Sequence, residues 1–151
     1  MGNSRQKILQ AIHLIEKKIG GIIRQSHLYQ TAAWGKTDQP DFLNQGLMAE
    51  TQLSPRECLR RIFSIEKKMG RIRTEKNAPR IIDIDILFFN DEVINEPGLI
   101  VPHPQIPNRK FVLVPMNEIS PELVHPLLHQ TINNLLSTCA DPLEVRLLSR
   151  Q

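Results

Sequence analysis

Two aspartates, Asp83 and Asp85, stand among isoleucines and phenylalanines in the stretch PRIIDIDILFFN, residues 79–90. An ionised carboxylate buried without a partner costs several kcal/mol. Side chains of an extended chain alternate, so the two aspartates share one face and Ile82, Ile84 and Ile86 the other. On a strand their Cα atoms lie about 6.6 Å apart. Carboxylates at that spacing can converge on hard cations. Mg²⁺ favours one or two protein carboxylates plus phosphate oxygens and water, and two-metal sites hold their ions roughly 3.5–4 Å apart. One face of the segment is then structural and the other presents charge.

Alone, a D-x-D pair more often faces solvent or ion-pairs with a neighbour such as Arg80. The surrounding residues argue for more. Arg71, Arg73, Lys76 and Arg80 lie shortly before Asp85, and His103 and Arg109 follow. Carboxylates for Mg²⁺ beside guanidinium forks for phosphate oxygens suit a polyphosphate ligand. The basic loop by itself would be a solvated surface. No G-x-x-x-x-G-K-[ST] stretch occurs, which excludes a P-loop enzyme.

The elements that must position these residues can be read from periodicity and caps. Ile8, Ile12, Ile15 and Ile19 recur on one helical face and predict a helix over 4–19, capped by Asn3 or Ser4 and stopped by Gly20–Gly21. Residues 22–31 read as a strand, 34–41 as a loop and 42–53 as a second, antiparallel strand. Ser54-Pro55-Arg56-Glu57 is a capping box with proline at the first helical position, and its helix runs to Met69. Residues 71–79 form a charged loop and 81–89 the aspartate strand. A short strand near Val93–Ile94 follows. Five prolines between Pro97 and Pro115 make 97–110 largely irregular. Short helices are expected over 111–118 and 131–138. The order, α-β-β-α-β plus a tail, implies an α+β sandwich with an antiparallel sheet. The ferredoxin-like pattern fits if one strand is added in front.

The length of 151 residues suits one domain, 1–151. The formal charge of +3 is mild and fits a small anion better than nucleic acid. Aromatic residues make up only 5%, too few for a base-stacking platform. Cys58 and Cys139 have no neighbours at metal spacing. Neither a signal-type leader nor an apolar run of about 18 residues is present, so a cytoplasmic protein without a membrane partner is expected.

Several ordered stretches resemble one family, the 6-hydroxymethyl-7,8-dihydropterin pyrophosphokinases of folate biosynthesis. GRIRTEKNAPRIIDIDILFFN looks like that family's signature of an Arg-rich loop ending in P-R-x-x-D-[IL]-D-[IL]. VPHPQIPNRKFVLVPMNEISPELVHP looks like its V-P-H, N-R-x-F and P-x-x-E-I-x-P elements, and YQTAAWGKTDQPDFLN like the segment around its pterin pocket. Together they cover roughly residues 2–126. The resemblance implies a Mg²⁺-dependent enzyme that moves pyrophosphate from ATP to the pterin hydroxymethyl group and releases AMP.

By the same resemblance, Asp83 and Asp85 bind two Mg²⁺ ions, and Arg71 and Arg80 contact phosphates and assist transfer. Glu66, Arg73, Ile86, His103 and Arg109 lie on the ATP side. Phe42 and Phe111 sandwich the pterin ring and Asn44 hydrogen-bonds its edge. Phe42 and Asn44 alternate around Leu43 and so share a face, as stacking plus edge recognition requires. Each phenylalanine alone would read as core packing, whereas Asn is depleted within strands. No side chain stands out as a general base. Loops 34–41 and 70–79 are expected to close over the substrates.

Three departures from the family pattern matter. Family members begin with a strand ahead of the first helix, whereas MGNSRQK opens at the turn. The expected sandwich therefore lacks the first family strand, and a monomer with edges open to association is expected. Lys76-Asn77 replaces an Arg-Trp pair, and Trp34 is the candidate to take over the tryptophan's place at the pterin. Pro104 follows His103 where an aromatic is common. Two other classes compete: a nucleotidyltransferase, which would want a third carboxylate and a Gly-Ser loop, and a basic ferredoxin-like RNA-binding module, which the exposed aspartates oppose.

Overall fold

Helix α1 (Ser4–Lys18) packs through Ala11, Leu14 and Ile15 onto Ile65 and Met69 of the second helical segment. The isoleucine face expected from the sequence is therefore rotated slightly. Ile15 is buried at its edge, Ile8 and Ile12 are half-buried, and the small Ala11 lets the helices approach most closely at its centre. The computed structural model describes residues 4–31, 42–70 and 82–148.

β1 (Gly20–Gln25) pairs antiparallel with β4 (Leu47–Thr51), with a bulge between Ile22 and Arg24. Gly20 is required at this junction, because a Cβ there would sit 1.8 Å from the Glu50 carbonyl oxygen. β2 (Tyr29–Thr31) lies between β3 (Phe42–Asn44) and β7 (Val145–Leu147), antiparallel to both. The sequence predicted one strand over 22–31 and one over 42–53. Each is broken in two, and the breaks face each other. Ser26 N donates to Gly46 O, Gly46 N donates to the Ser26 hydroxyl, and Gln45 Nε2 donates to Ser26 O. A buried serine that takes over ladder bonds in this way ends the regular pairing on both strands at once.

Helix α2 (Pro55–Lys68) begins at the predicted capping box, with both reciprocal bonds between Ser54 and Glu57 in place. It ends one residue earlier than expected, with Met69 as its cap and Gly70 at φ +99°. After it, β5 (Ile94–Glu96) and β6 (Leu99–Val101) form a hairpin around Gly98, whose φ is +79°. The irregular stretch expected over 97–110 is thus a strand followed by a 3-10 turn at Ile106–Asn108. Glycine after proline supplies the turn that the count of prolines obscured.

α3 (Lys110–Ile119) and α4 (Ile132–Ser137) fall where short helices were expected. They enclose a second core of Ile106, Leu113, Met116, Ile119, Ile132 and Leu135. Burying each such side chain stabilises the fold by roughly 1.5–3 kcal/mol. Asp141 accepts from Lys110 N at 3.1 Å and so caps α3 from the far end of the chain. The expected tail contains β7, a strand the sequence reading missed.

The strand predicted over 81–89 is corrected in one respect. Residues 82–89 form no ladder with another strand among the described residues. Residues 82–86 do keep a strand's alternation, with Ile82, Ile84 and Ile86 half-buried and Asp83 and Asp85 exposed, whereas Leu87, Phe88 and Phe89 are all half-buried. Ile82 and Ile84 pack on the α1–α2 core, and Leu87 and Phe88 on the α3–α4 core. Burial against two cores fixes which side faces in, whereas a ladder also needs a neighbouring backbone edge. The described architecture is mixed: helices against antiparallel sheet pieces. No described helix is long and apolar enough to cross a membrane.

Candidate active site

The aspartate segment is tied down on both sides of Asp85. Glu66, on the last turns of α2, is only 2% exposed, and its Oε2 accepts from Ile84 N at 3.1 Å. Three residues on, Leu87 O accepts from His103 N at 2.9 Å. These two bonds hold the segment so that Asp83 and Asp85 both point to solvent. Two exposed carboxylates on one side are hard oxygen donors and fit a Mg²⁺ ion whose other ligands come from phosphate and water. No group of three or more His, Cys, Asp or Glu side chains gathers at a metal distance among the described residues.

His103 is brought to the aspartates by its backbone bond to Leu87. Its Nδ1 accepts from Gln105 N at 3.1 Å, which places the proton of the neutral ring on Nε2. Pro104, where the family has an aromatic, is exposed. Arg109 is exposed, and its guanidinium carbon lies 5.6 Å from the centroid of the Phe111 ring. A residue expected on the nucleotide side thus covers one face of a residue expected on the pterin side. Ile86 is half-buried beside Asp85. Arg71, Arg73, Arg80 and Trp34, together with both expected loop lids, lie outside the described residues.

On the other side, Phe42 and Asn44 sit on β3 directly opposite Thr31 and Tyr29 of β2. Phe42 is 57% exposed, which a core role does not explain, and Asn44 is half-buried. The Thr31 hydroxyl is buried without a hydrogen-bond partner among the described residues. α3 packs on this hairpin. Gly46 makes room for it, since a Cβ there would come within 3.3 Å of Pro115. Pro115 has no N–H to give the Phe111 carbonyl, so the first turn of α3 lacks that bond.

Glu118, which the sequence reading did not single out, joins helix and hairpin. Its two oxygens accept from His27 N at 3.0 and 3.2 Å, Oε2 lies 2.8 Å from His27 Nδ1, and Oε1 accepts from the Tyr29 hydroxyl at 2.7 Å. Partial burial would raise the Glu118 pKa, but the bonds from Tyr29 and His27 outweigh it and hold the carboxyl below its ordinary value. Burial first, and then Glu118, push the Tyr29 phenol up to about 12. Glu118 is the glutamate of the P-x-x-E-I-x-P stretch, but nothing local points to its partners His27 and Tyr29, which lie about ninety residues away.

Helices packed on antiparallel strands define the class of protein, an α+β domain, and it presents an outward pair of carboxylates and an exposed aromatic beside a strand amide. The family model for 7,8-dihydro-6-hydroxymethylpterin-pyrophosphokinase matches residues 1–121, and the chain belongs to that family. The 2-amino-4-hydroxy-6-hydroxymethyldihydropteridine pyrophosphokinase of Aquifex aeolicus is 42% identical over 127 residues, 84% of this chain and 79% of the relative. The protein of the same name from Synechocystis is 42% identical over 113 residues, 75% of this chain and 57% of the relative. The folic acid synthesis protein FOL1 of Dictyostelium discoideum is 37% identical over 135 residues, 89% of this chain. The chain spans only about a fifth of that longer relative's length.

Proposed function

We propose that the protein transfers pyrophosphate from ATP to 6-hydroxymethyl-7,8-dihydropterin in folate biosynthesis. The observation that carries this reading is the outward-facing pair Asp83 and Asp85, anchored through Glu66 and His103, in a chain of the pyrophosphokinase family. In the reaction the pterin hydroxyl oxygen bonds to the β-phosphorus of ATP. The bond from that phosphorus to the bridging oxygen breaks, AMP leaves with the oxygen, and the hydroxyl proton passes to solvent.

Such transfers depend on positioning and charge neutralisation more than on covalent chemistry. Asp83 and Asp85 would hold two Mg²⁺ ions, which supply positive charge across the phosphates. His103 Nε2–H is a donor for a phosphate oxygen, and Arg109 and the Glu66–Ile86 neighbourhood belong to the nucleotide side. Arg71, Arg73 and Arg80 are assigned to the phosphates on their motif alone. Phe42 and Phe111 would stack on the pterin with Asn44 at its edge, and Trp34 is assigned to the same pocket.

The reading extends to a single ferredoxin-like domain over 1–151, monomeric, cytoplasmic and without nucleic acid. The strand-like burial of 82–86, with no ladder among the described residues, supports a place for one more strand beside it. Slow amide exchange throughout 82–89 would mean that those backbone groups are already paired and would count against that place. Light scattering checks the monomer. The decisive assay incubates the protein with ATP, Mg²⁺ and 6-hydroxymethyl-7,8-dihydropterin and measures AMP, with Asp83→Ala alongside. Pterin-dependent AMP that disappears in the variant supports the reaction, and its absence from folded wild-type protein sinks it.

A further inference from the structure

We propose that Glu118 is a positioning residue for the pterin side of the site: its carboxylate clasps β2 to α3 and so fixes the hairpin carrying Phe42 and Asn44 against the helix carrying Phe111. The inference rests on the reading above that these three residues meet the pterin.

Three observations converge on the clasp. Tyr29, which donates to Glu118, is the direct cross-strand partner of Asn44. Residues directly opposite on an antiparallel pair place their side chains on the same face. The tyrosine that reaches the helix and the amide expected at the pterin edge are therefore neighbours on one surface. Second, Glu118 lies seven residues after Phe111 on α3. Seven residues make about two turns, so both side chains leave the helix on the same side, about 10 Å apart along its axis. Third, the hairpin meets the helix closely at Gly46, where a Cβ would come within 3.3 Å of Pro115, which lies between them on that side.

The bonds divide the labour. His27 N and Nδ1 fix the segment leading into β2 to the carboxylate, and the Tyr29 hydroxyl fixes the first residue of the strand. A carboxylate holding three donors from one short segment resists both translation and rotation of that segment, which a single bond does not. Arg24 adds a bond in the same region, with Nη1 donating to Ile119 O at 2.7 Å. The aspartate segment is anchored separately, through Glu66 and His103. Loosening the clasp should therefore disturb the pterin side and leave the nucleotide side in place.

The test is steady-state kinetics on wild-type protein, Tyr29→Phe, Glu118→Gln and Glu118→Ala, with KM measured for each substrate and folding checked by circular dichroism. The expected order of pterin KM is wild type, then Y29F, then E118Q, then E118A, with E118A raised about tenfold as several hydrogen bonds are lost. The KM for ATP and kcat should stay within about twofold of wild type, because Glu118 is placed to act through Phe42, Asn44 and Phe111 alone. E118Q keeps one acceptor oxygen, so its intermediate position is a partial rescue that general loosening of the fold would not give. If E118A does not fold, the order of the other two decides. An unchanged pterin KM, or equal changes in both KM values and kcat, overturns the clasp while leaving the reaction standing. A wild-type protein without pterin-dependent turnover overturns the reading beneath it and the clasp's role together.

Discussion

The carboxyl of Glu66 accepts a hydrogen bond from the backbone N–H of Ile84, the residue between Asp83 and Asp85. A side chain buried in the last turns of α2 thus sets the height of both exposed carboxylates. It does so from behind, without competing for whatever they bind.

Replacing Glu66 with alanine should leave the Ile84 N–H without that partner, a loss of about 1–3 kcal/mol. The Mg²⁺ concentration that half-saturates AMP formation should rise about tenfold, the usual effect of removing a group that orients a ligand. Glu66→Gln, which keeps an oxygen, should do less on both counts. Thermal melts and a Mg²⁺ titration check this. A variant with a lowered melting temperature and an unchanged Mg²⁺ dependence would reduce Glu66 to a packing role.

Asp83→Ala and Asp85→Ala should each lower pterin-dependent AMP formation by about 10²-fold or more, as expected if each helps to hold the Mg²⁺ that neutralises the phosphates. Both side chains are exposed, so the melting temperature should move little, by the equivalent of about 0.5 kcal/mol. Chelation of Mg²⁺ should abolish the wild-type rate. Full activity in either variant would dissociate that aspartate from the chemistry.

The Tyr29–Glu118 bond predicts how stability follows pH. The Glu118 carboxyl is held below its ordinary 4.5, so its contribution is present above that value and is lost as pH falls through the folded pKa. The Tyr29 phenol is raised from 10.0 to about 12, so its contribution is complete below pH 10 and is lost as pH climbs toward 12. Melting temperatures across pH should fall at both ends, and Y29F should flatten the alkaline fall. An alkaline limb identical in wild type and Y29F would refute the assignment to this phenol.

Phe42→Ala should separate binding from stability. At 57% exposure the ring contributes little to the core, so stability should change by about 0.5 kcal/mol or less. The pterin KM should rise about fivefold to tenfold if the ring stacks on substrate. Phe111 is half-buried beneath Arg109, and its alanine variant should lose both stability and pterin affinity. Equal kinetics for wild type and F42A would remove Phe42 from the pocket.

What was legible in the sequence follows from what acts locally. The Ser54–Glu57 box, the helix start at Ile132 and the alternation around Asp83 and Asp85 all depend on neighbours within a few residues. The facing breaks at Ser26 and Gly46 depend on two strands meeting, and neither residue announces its partner. β7 is a three-residue strand whose only pairing among the described residues is with β2, more than a hundred residues earlier, so its own sequence carries almost no signal. Glu118 stands in the P-x-x-E-I-x-P stretch, but its partners His27 and Tyr29 are hidden for the same reason. On the site, spacing pointed to the aspartates, and Phe42 and Asn44 came from the family resemblance. Arg109 lies over Phe111, two residues away, and this contact joins the two sides of the site that the family resemblance keeps apart.

The sheet order β3-β2-β7 places the earliest part of the hairpin beside nearly the last of the described residues. At ordinary rates of synthesis, on the order of ten seconds separate the emergence of Thr31 from that of Val145. For that interval one edge of β2 has nothing to pair with, and Asp141 is not yet there to cap the helix bearing Phe111. The aspartate half of the molecule can settle while the ribosome is still at work. The half that carries Phe42 and Asn44 is finished only when β7 arrives, which makes it the part of the newborn chain most in need of shelter.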